Sequence, residues 1–224
     1  MKALIIVDMQ NDFVEGGALA VPGGLDLVPI INGLQEDAHG GYDLIVATQD
    51  WHPANHGSFA ANHPGKNPGD LIQLNGLPQV LWPVHCVQNT CGADFIPGLH
   101  RERWAAIFQK GTDPEIDSYS GFFDNGKRRA TGLGDFLRER GVVDVHVVGL
   151  ATDYCVKFTA LDAVALGFTT KLVANASCGV DLNPGDTKRA VEEMQRAGVQ
   201  LYFAMNHGWQ GQAGDEWLIK MGMK

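Results

Sequence analysis

Residues 3–8 read Ala-Leu-Ile-Ile-Val-Asp, five apolar residues in a row closed by an acid. A half-exposed strand would alternate; a short unbroken apolar run fits a strand buried on both faces, as in a parallel sheet. Similar runs recur at Leu44–Thr48, Ala105–Phe108, Val142–Val148, Thr169–Val173 and Val199–Phe203. Helical spacing fills most of the gaps. Leu27, Ile30, Ile31 and Leu34 lie on one helical face, as do Leu133, Phe136 and Leu137, and Val156, Ala160, Val164 and Ala165. The stretch from Pro184 to Gly198 has Pro near its start, Gly at its end and an amphipathic middle. This order predicts a doubly wound α/β fold: a mostly parallel six-stranded sheet, helices on both faces, and a long insert after the second strand. No repeat and no Pro/Ser-rich linker interrupts the 224 residues, so one domain over 1–224 is expected.

Composition narrows the function. Acidic residues outnumber basic ones by 26 to 17, for a formal charge of -9, which argues against nucleic acid as a partner. No segment approaches the ~20 apolar residues of a membrane span, and MKALIIVD is too short for a signal-peptide core. A cytoplasmic protein is therefore expected. The four cysteines, Cys86, Cys91, Cys155 and Cys178, form no C-x-x-C pair, so free thiols are expected rather than a zinc ribbon or disulfides. Glycine, at 28 residues, exceeds the usual ~7% and suggests many tight turns between elements.

In an open parallel sheet, ligands bind beyond the carboxyl ends of the strands. The first predicted strand ends in Asp8, the second runs into Asp50-Trp51-His52, and the third ends at Lys110. The fourth runs through Gly149-Leu150-Ala151-Thr152-Asp153-Tyr154-Cys155 into a helix. An acid, an amine and a thiol at one edge suit nucleophilic acyl transfer. A helix start and a nearby cation lower a thiol's pKa, and a carboxylate takes its proton and later delivers it to a leaving amine. Backbone N–H groups of the nucleophile turn are candidates for an oxyanion hole.

The stretch from Asp50 to about Arg103 is rich in Pro, Gly, Asn and His and shows no sustained periodicity. So long a stretch within a domain is usually functional. Asp50 and His52 point to the same side of an extended segment and so can share a metal. His56, His63 and His85 are the candidates for a further ligand. One carboxylate and two imidazoles leave coordination positions open, as in catalytic rather than structural sites, and accept Zn, Fe or Mn.

The segments IIVDMQNDF (5–13), ATQDWHPANHGSFA (47–60), WPVHC (82–86), FQKG (108–111), SYSGFFDN (118–125) and GLATDYCV (149–156) resemble the isochorismatase-like cysteine hydrolases. The D-W-H-P and W-P-x-H-C pair is similar to the nicotinamidases (pyrazinamidases) within them. The resemblance implies a triad: Asp8 as general acid/base, Lys110 as the supporting cation and Cys155 as the nucleophile. It implies one divalent metal on Asp50, His52 and His85, with His56 similar to an additional ligand of some members. It also implies a cis peptide at Leu150–Ala151, an oxyanion hole from the Ala151 and Cys155 N–H groups, and a pocket walled by Phe13, Trp82 and Tyr119. The expected reaction is hydrolysis of nicotinamide to nicotinate and ammonia through a cysteine thioester, with the substrate's ring nitrogen on the metal. Pyrazinamide is the expected second substrate and NAD salvage the implied pathway.

Two alternatives remain at this level. One is another amidase of the superfamily acting on a carbamoyl or ureido group, whose members generally lack the full metal set. The other is a non-catalytic binding module, which an intact Asp8, Lys110 and Cys155 disfavours. Cys86 adjoins His85, but neighbours in extended chain point apart, so a structural role is expected for it, as for Cys91 and Cys178. Trp209, Trp217, Leu218 and Ile219 near the C-terminus offer apolar surface for packing or for subunit contact, and a homo-oligomer stays open.

Overall fold

The computed structural model of the protein describes residues 1–36, 41–204, 217 and 219. Six parallel strands form the sheet: β1 (Lys2–Val7), β2 (Leu44–Asp50), β5 (Trp104–Lys110), β6 (Asp144–Leu150), β7 (Thr169–Cys178) and β8 (Gln200–Tyr202). Their spatial order is β5-β2-β1-β6-β7-β8. The chain moves outward from β1 in one direction first and returns to its other side with β6, so the switch point lies between β1 and β6.

β1 shows why its apolar run is unbroken. Leu4 and Ile6 join a core with Leu27, Ile31 and Leu34 of α1 (Leu27–Gln35). Ala3, Ile5 and Val7 face the opposite core with α2 (Leu133–Glu139), α3 (Lys157–Ala165) and α4 (Asp186–Arg196). These five residues, Ala3 to Val7, are fully buried. Both faces therefore withdraw apolar surface from water, at about 25 cal/mol per Å².

Strand ends shift by one to five residues from the sequence-based expectation, and the stretch after β2 holds regular structure that was not expected. The fourth predicted strand begins at Asp144, not Val142, and reaches Leu150. β7 extends to Cys178, with a register shift against β6 that moves the pairing from Val147–Leu172 to Gly149–Ser177. Residues 51–103 are not without regular structure. They hold an antiparallel hairpin of β3 (Leu71–Leu74) and β4 (Leu77–Val80), joined by Asn75-Gly76 with φ of 48° and 81°. Asn-Gly with both φ values positive is the favoured two-residue hairpin turn. That dipeptide was the readable signal; the flanking strands are short and mix Gln and Pro with Leu, which hid the period.

Among the described residues no helix is long and apolar enough to cross a membrane. Trp209 and Leu218 lie outside the described residues; Trp217 is half-buried against the α2–α4 core and Ile219 is exposed.

Candidate active site

Asp8 follows β1 in a left-handed conformation (φ 49°) that turns the chain out of the sheet and leaves the carboxylate at its edge. Thr48 fixes that side chain: its hydroxyl donates to Asp8 Oδ1 at 2.6 Å and accepts the Asp8 N–H at 3.2 Å. Lys110, the last residue of β5, is buried to 2% exposure, and its ammonium is fully engaged. It lies 2.9 Å from Asp8 Oδ2 and donates to Asp50 Oδ1 at 2.8 Å, to the Ser118 carbonyl at 2.9 Å and to Cys155 Sγ at 3.3 Å. The acid, amine and thiol expected at the strand ends thus meet in one buried cluster.

Cys155 sits in a wide helical turn, Thr152–Val156, that opens α3. The Tyr154 and Val156 N–H groups both donate to the Ala151 carbonyl, at 3.0 and 3.1 Å. The Leu150–Ala151 peptide is cis. Gly149 (φ 108°) is required here, because a Cβ would fall 2.1 Å from the Val7 carbonyl oxygen.

The thiol departs from the sequence-based expectation. Burial pushes it well above its usual range, and Asp8 and Asp50 add to this against the opposing pull of Lys110. One ammonium is already matched by two carboxylates, so the cluster does not favour a resident thiolate. Asp8 is itself raised, by burial first and by Asp50, against the pull of Lys110. Cys155 Sγ lies within 4.8 Å of an Asp8 carboxylate oxygen, which places Asp8 as the base nearest its proton.

Asp50, His52 and His85 converge beside this cluster. Asp50 Oδ2 is 3.4 Å from His52 Nε2 and 3.7 Å from His85 Nε2, and all three residues are buried. His52 Nδ1 meets the Gly111 carbonyl at 2.9 Å and His85 Nδ1 meets the Pro83 carbonyl at 2.8 Å. A carbonyl only accepts, so each Nδ1 carries a proton and each Nε2 is turned toward the carboxylate. An Nε2 facing a buried carboxylate calls for positive charge between them, a proton or a cation. The protonation tendencies say the same. Burial alone would raise Asp50 and lower His52, yet Lys110 and His52 hold Asp50 well below its usual range, and Asp50 raises His52. One carboxylate and two imidazoles fit a divalent cation.

Of the remaining candidates, His63 is turned away, with Nε2 on the Gly57 carbonyl at 2.7 Å. The His56 ring is tilted at 49° to that of His52 with centroids 4.3 Å apart, and its Nε2 is buried without a hydrogen-bond partner among the described residues. Burial and the neighbouring His52 push its pKa down to about 4, so the ring is neutral. It groups with His52 and Asp117 rather than with Asp50 and His85. Cys86 is buried with its thiol 3.9 Å from the Gly92 carbonyl, apart from the metal cluster, and all four cysteines are free thiols.

A cavity opens onto Cys155, Ala151, Asp50, His52 and His85, and Phe13, Trp82 and Tyr119 wall it. Trp82 Nε1 donates to the Tyr119 hydroxyl at 3.1 Å, which orients both rings. The lining also includes Leu19, Asp117, Tyr154 and Val180, which sequence reasoning did not single out. Tyr154 packs edge-on to Trp82 with centroids 4.8 Å apart; its place next to Cys155 was the one local signal. Leu19 and Val180 come from distant loops, and nothing local marks them.

The family described as the Isochorismatase domain matches residues 2–202. A nicotinamidase of Escherichia coli is 51% identical over 201 residues, covering 90% of this chain and 94% of its own. A solved nicotinamidase and pyrazinamidase of Acinetobacter baumanii superposes with a TM-score of 0.85 at 47% identity, covering 90% and 95% of the two chains. A pyrazinamidase of Pyrococcus horikoshii, solved in complex with zinc, gives a TM-score of 0.73 at 41% identity, covering 90% and 98%.

Proposed function

The chain belongs to the isochorismatase family, and from that premise we propose how its site carries out the nicotinamidase reaction. The enzyme hydrolyses nicotinamide to nicotinate and ammonia and acts on pyrazinamide as well. The observation that carries the mechanism is the single Lys110 ammonium in contact with Asp8, Asp50 and Cys155 at once.

The carboxamide carbon lies over Cys155 Sγ, and the pyridine ring packs between Phe13, Trp82 and Tyr119, whose flat faces suit it. Cys155 Sγ bonds to the carbonyl carbon while its proton passes to Asp8. The N–H groups of Ala151 and Cys155 receive the oxyanion. Asp8 then protonates the departing nitrogen, ammonia leaves and a thioester remains. Asp8 next takes a proton from water, whose oxygen attacks the thioester carbon. The intermediate collapses as Asp8 returns the proton to sulfur, releasing nicotinic acid, which ionises to nicotinate with its proton taken up by the ammonia. Throughout, Lys110 keeps its charge, anchors Asp8 and offsets negative charge developing on Sγ.

Asp50, His52 and His85 would hold the divalent metal; His56, which groups with His52 and Asp117, would be a further donor only from the His52 side. Zinc suits this donor set. When bound, the ion supplies a Lewis-acid contact for the ring nitrogen.

The test measures ammonia release from nicotinamide, pyrazinamide and an unrelated carbamoyl compound, with Cys155→Ala beside the native protein. The expected result is turnover of the first two, abolished in a folded, metal-binding Cys155→Ala. Efficient cleavage of the carbamoyl compound with none of nicotinamide would overturn the reading.

A further inference from the structure

Between the catalytic Asp8 and the pocket residue Phe13, the side chains of Gln10, Asn11 and Asp12 take no part in the chemistry above. All three instead reach the segments that carry the metal donors. Gln10 is fully buried; its Nε2 donates to the Asp50 carbonyl at 2.8 Å and the Ala93 carbonyl at 2.9 Å. Its Oε1 accepts the Asp50 N–H at 2.8 Å. The chain leaves the sheet at Asp8, so the Gln10 amide replaces the ladder partner that β1 would have offered Asp50. Asn11 Nδ2 donates to the Cys91 carbonyl at 2.8 Å.

Asp12 has the most specific placement. Its Oδ2 accepts the Cys86 N–H at 2.7 Å and its Oδ1 accepts the Ala18 N–H at 3.3 Å. The Cys86 N–H belongs to the peptide that joins His85 to Cys86. Cys86 is left-handed (φ 45°), and its carbonyl accepts the His52 N–H at 3.0 Å. Asp12 therefore grips one side of a strained turn whose other side is bonded to the backbone of a second donor. Gly92 leaves the room this needs, because a Cβ there would sit 2.1 Å from Asp12 Oδ2.

We propose that Asp12 is a positioning residue for the metal centre. It pins the His85–Cys86 peptide and thereby sets the spacing of the His85 and His52 imidazoles. Without the carboxylate the Cys86 N–H loses its acceptor, the left-handed turn relaxes and His85 moves off its line to Asp50. The inference rests on Asp50, His52 and His85 being the ligands.

The experiment measures zinc dissociation constants by competition with a chromogenic chelator, together with the melting temperature of each metal-free protein. Asp12→Ala, Asp12→Asn, Gly92→Ala and His85→Ala are compared with the native chain. Asp12→Ala and Gly92→Ala should weaken zinc binding by about 10-fold to 100-fold, the usual effect of losing a group that orients a ligand. Asp12→Asn, which keeps an oxygen acceptor, should stay within about threefold of native, and the metal-free melting temperatures should remain close to native. A lowered metal-free melting temperature with an unchanged zinc constant would make Asp12 a folding residue only and overturn the proposal. If Asp12→Ala does not fold, Gly92→Ala decides, since it displaces the carboxylate without removing it. Unchanged zinc affinity in His85→Ala would instead overturn the ligand assignment, and this proposal with it.

Discussion

The Lys110 ammonium donates to Asp50 Oδ1 at 2.8 Å and so joins the cysteine site to the metal site through one buried side chain. Asp50 turns its other oxygen to His52 and His85, while Lys110 also reaches Asp8 and Cys155. The proposed nucleophile, proton carrier and metal donors are thereby one electrostatic unit.

Lys110→Ala should then be among the most damaging substitutions. It leaves Asp8 and Asp50 buried without their shared cation, a loss of about 3–5 kcal/mol of stability for a broken buried pair. Turnover should fall by about 10³-fold or more, because the same charge orients the acid and supports the sulfur. Lys110→Arg should not restore it, since a planar guanidinium cannot fill a compact, four-contact site. Denaturant unfolding and kcat/KM check both; near-native turnover in either variant would contradict the assignment.

Gly111→Ala should act on the metal site selectively. A Cβ there would lie 2.3 Å from His52 Cε1 and 2.6 Å from its Nδ1, at a residue whose φ is 63°. The ring must move, and its bond to the Gly111 carbonyl goes with it. Metal affinity should drop by about 10-fold or more. Equal affinity for zinc in the two proteins, measured by chelator competition, would refute this.

Metal removal should lower activity, with recovery on adding zinc. The proposed donors lie at the end of β2, just past it at His52, and on the segment ending at Cys86, braced by Gln10 and Asp12, so the metal-free chain should stay folded. Added zinc should raise the melting temperature, with about 2.7 kcal/mol gained at a hundredfold excess over the dissociation constant. A chelator-treated protein of unchanged activity and melting temperature would count against a metal centre.

Trp82→Phe keeps an aromatic wall but removes the N–H that reaches the Tyr119 hydroxyl. With one neutral hydrogen bond worth about 1 kcal/mol, KM should rise severalfold while kcat changes little. A fall in kcat with KM unchanged would place Trp82 in the chemistry rather than in the pocket wall.

Stability should fall with acid through His146, at the opposite end of the sheet from Cys155. Its Nδ1 meets the Tyr42 hydroxyl at 2.8 Å, its ring packs on Tyr202, and Asp144, Lys171 and Lys2 supply the nearby charge. Burial lowers its pKa from 6.5 to about 4, with Asp144 opposing and the two lysines assisting. The unfolded chain therefore binds the proton more readily. The stabilisation is complete above pH 6.5 and is lost as pH falls toward 4. Allowing for partial solvation, it is on the order of 2 kcal/mol. Denaturation midpoints at pH 7.5 and pH 4.5 should differ less in His146→Gln than in the native protein; an unaltered difference would exclude this histidine as a source.

The polar residues closing the strands were readable because strand and site share a rule: the residues just past the carboxyl end of a parallel strand stand at the binding edge. Asp8, Asp50, Lys110 and the Gly149–Cys155 turn all obeyed it. The Asn75-Gly76 hairpin turn went unread, because the strands beside it are short and mixed in character. Leu19, Asp117 and Val180 were not readable, since each enters the cavity from a loop whose path depends on contacts far along the chain.

Apolar runs alone were enough to indicate a parallel sheet buried on both faces, and the residues closing them marked which chemical groups would stand at its edge. Periodicity and strand ends are local properties, set within a few residues. It took the folded chain to show that Lys110 is shared by two carboxylates and that burial pushes the Cys155 thiol upward. The fold likewise decided that both histidines turn Nε2 to Asp50, and that Asp12 grips the peptide after His85. These outcomes depend on burial and on distances between residues tens of positions apart. Electrostatic energies depend on separation in space and the exclusion of water, and neither is written in any short stretch of chain.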